Sequence, residues 1–345
     1  MKNLPAGICL LTLCVFALPR TALAHSHQLA SVKTFPVTVV DDHGNRVHIT
    51  SRPSRIVSLD PRDTETLFAI DAESRVVGDS SQYSEGATGY SRPFRYPSEW
   101  PSRWGRDYPT RSKQLTHVEG GYSGQHFNLE TIVSLKPDLI FTLYSQTEEP
   151  TFQKMRDLGI KVVILDPSTI SGILHDVSLV GTAVGNRSQA QIVATAIKQQ
   201  ITSVRKRLTS VRSRPRTYYE IDATNPTQPY TAGPGTFVDS AIQDAGGKNI
   251  AHNLSLPGCP GTLCYPQFSL ESIVHLDPQV IVLGDSAYGT TTANVKSRSG
   301  WSSISAVKTG KVYAFDDELV SRAGPRIGIG ISRLARILHP RVFGG

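Results

Sequence analysis

The patterned part of the chain begins with "FPVTVVDDHGNRVHIT" (Phe35–Thr50), where apolar and polar positions alternate on either side of Asp42-His43-Gly44-Asn45. Alternation around a turn cluster predicts a β-hairpin. Beyond it, short apolar runs trade places with amphipathic stretches. "RIVSL" (Arg55–Leu59), "RVVG", "DLIFTL" and "KVVILD" read as strands, with "DTETLFAI" and "TFQKMRDLG" as helices between them. Strands that are apolar throughout and alternate with helices predict a mostly parallel sheet covered on both faces. The longest helical pattern runs from Ser188 to about Val211. There Ile197, Ile201, Val204, Leu208 and Val211 step by four, three, four and three residues, one apolar stripe that Pro215 closes. A second series follows: "TYYEID", the helix "TFVDSAIQDAGG", "QVIVLG", "KVYAFD", and a last helix from about Pro325 to Leu338. The order is lobe, long helix, lobe, with expected bounds 25–187, 188–213 and 214–345.

One element is written twice. "NLETIVSLKPDLIFT" from Asn128 returns as "SLESIVHLDPQVIVL" from Ser269. At constant offset Leu129, Glu130, Ile132, Val133, Leu135, Pro137 and Ile140 recur as Leu270, Glu271, Ile273, Val274, Leu276, Pro278 and Ile281. Asn128 and Ser269 are good helix N-caps, and each glutamate falls in the first turn, where the helix dipole favours an acid by about 0.3–1 kcal/mol. Leu-x-Pro then ends each helix, since proline disfavours helical geometry in the residue before it. The repeat marks equivalent positions in two related lobes.

Composition narrows the picture. The 345 residues suit two domains, and 39% hydrophobic with 19% charged residues is globular rather than disordered. Leu4–Leu18 is apolar but too short for a membrane span. It follows Lys2 and leads to the Ala-x-Ala pattern of "TALA" at Thr21–Ala24, which predicts a signal peptide over residues 1–24 and export to the periplasm. Cys14 follows Leu13 rather than a small residue, so a lipid anchor is not expected. Removal of that peptide takes away Lys2 and Arg20 and no acid, so the formal charge of +7 falls to +5. No arginine-rich tail or aromatic-basic repeat supports a nucleic-acid role. Cys259 and Cys264 remain in the Gly/Pro-rich loop "LPGCPGTLCYPQ", and in an oxidising compartment two such cysteines read as a local disulfide.

Several motifs point elsewhere and are weak. Gly-Asp-Ser occurs at Gly78 and Gly284, but no C-terminal Asp-x-x-His and no Gly-x-Ser-x-Gly accompany it, so a secreted serine hydrolase is the least favoured reading. "GPGT" at Gly233 lacks the Gly-Lys-Ser/Thr of a phosphate loop. His117, His126 and Glu130 have no histidine partner in the second lobe, so no metal site is expected from them.

The series "RIVSLDPRDTETLFAI…RVVGDSSQYS", "NLETIVSLKPDLIF", "LGIKVVILDPSTI", "PYTAGPGTFVDSAIQDAGGKNI", "YPQFSLESIVHLDPQVIVLG" and "WSSISAVKTGKVYAFDDELVSRAGPRI", from about Phe35 to Leu338, resembles the periplasmic substrate-binding proteins of ABC importers for cobalamin, ferric siderophores and haem. The resemblance implies an α/β fold of class III, two Rossmann-like lobes with mostly parallel central sheets joined by one long α-helix. It implies a monomer with no enzymatic activity and no resident cofactor, serving a permease–ATPase complex of the inner membrane. It also implies that Glu130 and Glu271 protrude from the two lobes to pair with permease arginines, and that the ligand sits in the cleft. The cleft positions it implies are Tyr83, Tyr122, Tyr144, Tyr230, Tyr265 and Arg322. Each tyrosine has the alternative of a partly buried core residue with a satisfied hydroxyl. Arg322 has the alternative of bracing the loop before the last helix. Cobalamin binders of the family often place tryptophan where this chain has tyrosine. The tyrosines, the arginines and the basic charge therefore favour a ferric siderophore or related chelate, with cobalamin or haem as the alternative. The chain departs from compact members in residues 85–119, which hold six basic residues, two tryptophans, three tyrosines and four prolines. Such a segment is expected to fold over something, the cleft or the outer face of the lobe. A continuous helix between lobes also predicts little closure on ligand.

Overall fold

The computed structural model describes residues 35–80, 114–120, 126–253 and 264–344. The predicted signal peptide, Tyr83, Tyr122, Cys259 and most of the 85–119 insertion lie outside the described residues. The predicted hairpin is present: β1 (Val37–Val40) pairs antiparallel with β2 (Arg46–Ile49), Val37 opposite Ile49 and Val40 opposite Arg46. Asp41 organises its turn by accepting from the backbone N–H groups of His43 and Asn45 at 3.1 and 2.8 Å. Gly44 supplies the left-handed residue (φ +80°). The N–H of Asp42 donates to the carbonyl of Ile164, which pins the hairpin tip to the first lobe.

That lobe runs β3 (Ile56–Ser58), α1 (Pro61–Ala69), β4 (Val76–Asp79), β5 (Thr116–His117), α2 (Leu129–Ser134), β6 (Leu139–Thr142), α3 (Glu149–Asp157) and β7 (Lys161–Ile164). Its sheet has the order β5-β4-β3-β6-β7 and every pair is parallel. β3 and β6 are buried along their whole length, as strands covered on both faces must be.

Two helices follow in place of the one that the pattern predicts. α4 (Ile170–Val184) starts at Thr169, whose Oγ1 accepts from the N–H of Gly172, and stops at left-handed Gly185. α5 (Arg187–Arg207) is the long helix. The two meet where a Cβ on Gly181 would lie 2.2 Å from the Cβ of Ala190, so only glycine permits the approach. α5 ends at Arg207 with Leu208 as its C-cap, a turn short of the expected Val211. Its last turn, Arg205-Lys206-Arg207, places cations at the negative end of the dipole.

The second lobe runs β8 (Arg216–Asp222), β9 (Tyr230–Thr231), α6 (Phe237–Asp244), β10 (Lys248–Asn249), α7 (Leu270–Leu276), β11 (Val280–Leu283), α8 (Thr292–Ser297), α9 (Ser305–Lys308), β12 (Val312–Ala314) and α10 (Ile327–Leu338). Its parallel strands take the order β10-β8-β11-β12, with β9 antiparallel on the end of β8. Numbered within each lobe, β4-β3-β6-β7 and β10-β8-β11-β12 are the same 2-1-3-4 arrangement. One core passes through both lobes, from Ile56, Leu67 and Val180 across Ile197 and Ile201 of α5 to Ile242 and Ile331. Each lobe adds a smaller outer cluster, around Ile132, Phe152 and Ile164 in the first and around Ile273, Phe268 and Trp301 in the second.

Candidate functional site

The duplicated element is duplicated in space. The Asn128 side chain accepts from the N–H of Thr131, and the Ser269 hydroxyl from that of Ser272. Both helices end on a left-handed residue before the proline, Lys136 (φ +48°) and Asp277 (φ +43°). Ile132 and Ile273 are the buried anchors, while Glu130 and Glu271 are exposed and form no ion pair among the described residues. A further symmetry lies outside the duplicated segment. Arg55, just before β3, donates from Nε to the carbonyl of Leu135 at 2.7 Å. Arg216, at the start of β8, donates from Nε to the carbonyl of Leu276 at 3.1 Å. Each arginine satisfies an orphan carbonyl at the C-terminus of the glutamate-bearing helix and complements its dipole. These arginines lie far from the repeat along the chain, so no local pattern reveals them.

In open parallel sheets a ligand settles outside the carboxyl ends of the strands. In the first lobe those ends carry Asp60, Ser80, Tyr144 and Asp166; in the second they carry Asp222, Asp285 and Asp316. Tyr144, half-buried after β6, stacks on His43 of the hairpin tip with centroids 3.9 Å apart and 22° between planes. His43 also reaches Asp166 at 3.3 Å. Tyr230 and Tyr265 are 42% and 40% exposed. They stand on neighbouring segments, joined by the bonds from Thr231 N–H to Pro266 and from Gly233 N–H to Cys264. Partial burial raises the pKa of the Tyr265 hydroxyl, which keeps it a neutral donor. Cys264 is buried. A groove of about 440 Å³ beside α5, lined in part by Thr169, Lys198, Arg205 and Asp244, contains none of the predicted tyrosines, and its Arg205 is bidentate to Asp244.

Arg322 is placed differently from the other cleft candidates. Its guanidinium donates to Glu65 Oε1 at 3.3 Å and to Glu318 Oε1 at 2.9 Å, with 15% of the side chain exposed. Arg326, fully buried, grips Glu65 through two bonds of 3.0 and 2.6 Å. Glu65 belongs to α1 of the first lobe and both arginines to the second, so the cluster ties the lobes together. Burial alone would raise the Glu65 carboxyl; Arg326 and then Arg322 overcome it and hold the group below the usual carboxylate range. All nine residues of α1 are buried, charged ones included, because the helix is wedged into this junction.

Two other buried acid groups stand out. Glu220 on β8 is paired bidentately with Arg298 at 2.6 and 2.9 Å; burial pushes it up to about 7 despite that partner. In the first lobe burial, aided by Asp42 and Asp63, pushes Asp176 of α4 up to about 9. Of the weak motifs, Ser286 donates to the carbonyl of Phe315, and His126 is hydrogen-bonded to buried Glu148 at 2.9 Å.

Residues 56–319 match the family model described as periplasmic binding protein. A cobalamin-binding protein of Halobacterium salinarum is 31% identical over 311 residues, which span 89% of this chain and 75% of that one. The uncharacterized ABC transporter substrate-binding lipoprotein YvrC of Bacillus subtilis is 27% identical over 314 residues, 90% of this chain and 88% of its own. Among solved structures, the apo form of the periplasmic heme-binding protein RhuT from Roseiflexus sp. RS-1 superposes with a TM-score of 0.66 at 21% identity, covering 84% of this chain and 99% of that one. At that identity the likeness concerns the fold, which is the class III arrangement of two lobes on one helix.

Proposed function

The chain belongs to the periplasmic binding protein family, and from that premise we propose that it captures a corrinoid between its lobes and delivers it to the permease of an ABC importer. Family membership makes it an extracytoplasmic substrate-binding component and not an enzyme. Export by a signal peptide cleaved after Ala24, without a lipid anchor, is part of the proposal, as are the lobe bounds 25–187 and 214–345 and a Cys259–Cys264 disulfide.

The observation that carries the corrinoid reading is the commitment of Arg322 to Glu65 and Glu318. An anionic ferric siderophore needs uncompensated cations, and the strand ends among the described residues offer aspartates instead. Tyr144, Tyr230 and Tyr265 suit a bulky ring system with flat apolar faces and peripheral amides, to which phenol hydroxyls donate hydrogen bonds. The name of the Halobacterium salinarum relative supports the same ligand class. This ranks the corrinoid above the ferric siderophore favoured by composition. The basic residues of 85–119 are the feature that speaks for the siderophore.

Glu130 and Glu271, alike in setting, exposed and unpaired among the described residues, serve in this reading as the two prongs that engage permease arginines. Tryptophan-fluorescence titration against cyanocobalamin, hemin and ferric siderophores tests the ligand assignment. Saturable one-to-one quenching by cyanocobalamin is expected. A siderophore that binds about tenfold tighter, a 1.4 kcal/mol preference, overturns it.

A further inference from the structure

The tip of the hairpin and the second turn of α4 bring together Asp42, His175 and Asp176, with one ligand atom of each within 4.8 Å of the others. The three come from segments more than 130 residues apart, and no spacing in the sequence announces them. Asp176 is only 6% exposed, and while its carboxyl meets that of Asp42, its Oδ1 has no hydrogen-bond partner. Two buried facing carboxyl groups need a proton or a cation between them, and a shared proton still leaves the Oδ1 lone pair without a partner, which a cation would take up. A little deeper lies Asp63, 2% exposed, with Oδ2 also unpartnered. Arg62 acts on Asp176 only through space; its contacts go to Asp60 at 3.2 Å, Asp63 at 3.8 Å and the carbonyl of Leu165 at 2.9 Å, so no guanidinium hydrogen bond to the Asp42–Asp176 pair is seen among the described residues.

We propose that Asp42, His175 and Asp176 form a binding site for one divalent ion of the zinc class. One imidazole nitrogen and two carboxylate oxygens are a borderline donor set that suits Zn²⁺ or Co²⁺ better than Ca²⁺ or Mg²⁺, which take oxygen alone. A tetrahedral ion with bonds of about 2.0–2.2 Å spaces its ligand atoms by about 3.4 Å, so side-chain movements of about 1 Å close the site. His175 and Asp42 are exposed, which gives the ion an entry path, while Asp176 anchors it from below. Asp42 also accepts from the N–H of Asp166 at 2.6 Å, a bond that orients the carboxylate. The ion would clip the hairpin tip to α4, and the next residue along, His43, is the one that stacks on Tyr144. The site thus stabilises the support of a cleft tyrosine and takes no part in capturing the cargo.

The test uses the untagged mature chain with His25 and His27 replaced by alanine, so that the imidazoles near its N-terminus do not contribute. Isothermal titration with Zn²⁺ is expected to show one ion per chain, and Co²⁺ to give visible absorption bands displaced by Zn²⁺. H175A and D176N should each weaken binding at least tenfold, whereas H126A should match the parent. Far-ultraviolet circular dichroism of the metal-free variants verifies that they fold. The proposal is overturned if the folded parent binds no stoichiometric Zn²⁺, or if H175A and D176N bind as well as the parent does.

Discussion

The two lobes share a strand order and a way of holding one helix, and differ almost everywhere else near the strand ends. In both, an arginine at the start of the first strand caps the helix that carries the exposed glutamate, Arg55 for α2 and Arg216 for α7. In the first lobe the sheet is extended by β5 and overlain by the hairpin whose His43 backs Tyr144. In the second, β9 closes the end of β8, and the buried Glu220–Arg298 pair lies beneath. In the proposed function the duplicated parts would serve a contact that both lobes make with one partner, and the unlike parts a ligand that shows each wall a different side.

Four changes would break or sharpen that comparison. The largest effect belongs to the one cluster that neither lobe owns. Glu65→Ala leaves Arg326 buried without its main partner and is expected to cost roughly 3–5 kcal/mol in urea unfolding. A loss below about 1 kcal/mol would mean that the cluster does not tie the lobes. Next comes pH. Because Glu220 is raised from 4.5 to about 7, its contribution to stability is fully present below about pH 4.5 and lost as pH rises through about 7. Stability of the parent should fall by roughly 3 kcal/mol from this group over that window. In Glu220→Gln the same slope should vanish, and a parallel pair of pH–stability curves would refute the assignment.

Smaller effects are expected from the arginine caps. Arg55→Ala should cost about 1 kcal/mol, and Arg216→Ala more, since Arg216 also bonds the carbonyl and carboxylate of Asp277. Hydrogen exchange should rise in α2 for the first and in α7 for the second; exchange that rises in both helices for either variant would contradict independent caps. Comparably small in stability, about 1 kcal/mol each for reversing a first-turn charge, are Glu130→Arg and Glu271→Arg. Both should retain ligand binding and abolish uptake in a reconstituted transporter; unchanged uptake in both removes the docking role.

The alternation of elements, the long strut and the paired helices were legible because each rests on contacts within a few residues: periodicity, an N-cap, a proline. The strut's end is not legible, since Val211 continues the stripe although the helix stops at Arg207. α4 has no single apolar stripe to read, because its buried residues crowd more than one face, with Asp176, Val177, Leu179, Val180 and Gly181 all buried. Tyr144, Tyr230 and Tyr265 are cleft positions that the family resemblance implies, but Arg322 looks the same in sequence whether it awaits a ligand or holds Glu65, 257 positions away.

By itself, then, the order of residues determined two lobes of alternating strand and helix, their strut and the duplicated glutamate-bearing helix, for these follow from backbone preference and short-range burial, while the shared 2-1-3-4 strand order came from the tertiary structure. Only the tertiary structure decided which charges are already matched, Glu65 with Arg326 and Arg55 with a helix end, and which are set against their like, Asp176 against Asp42. A charge is free or spent according to what the folded chain brings within about 4 Å of it, and that distance is not written in any local pattern.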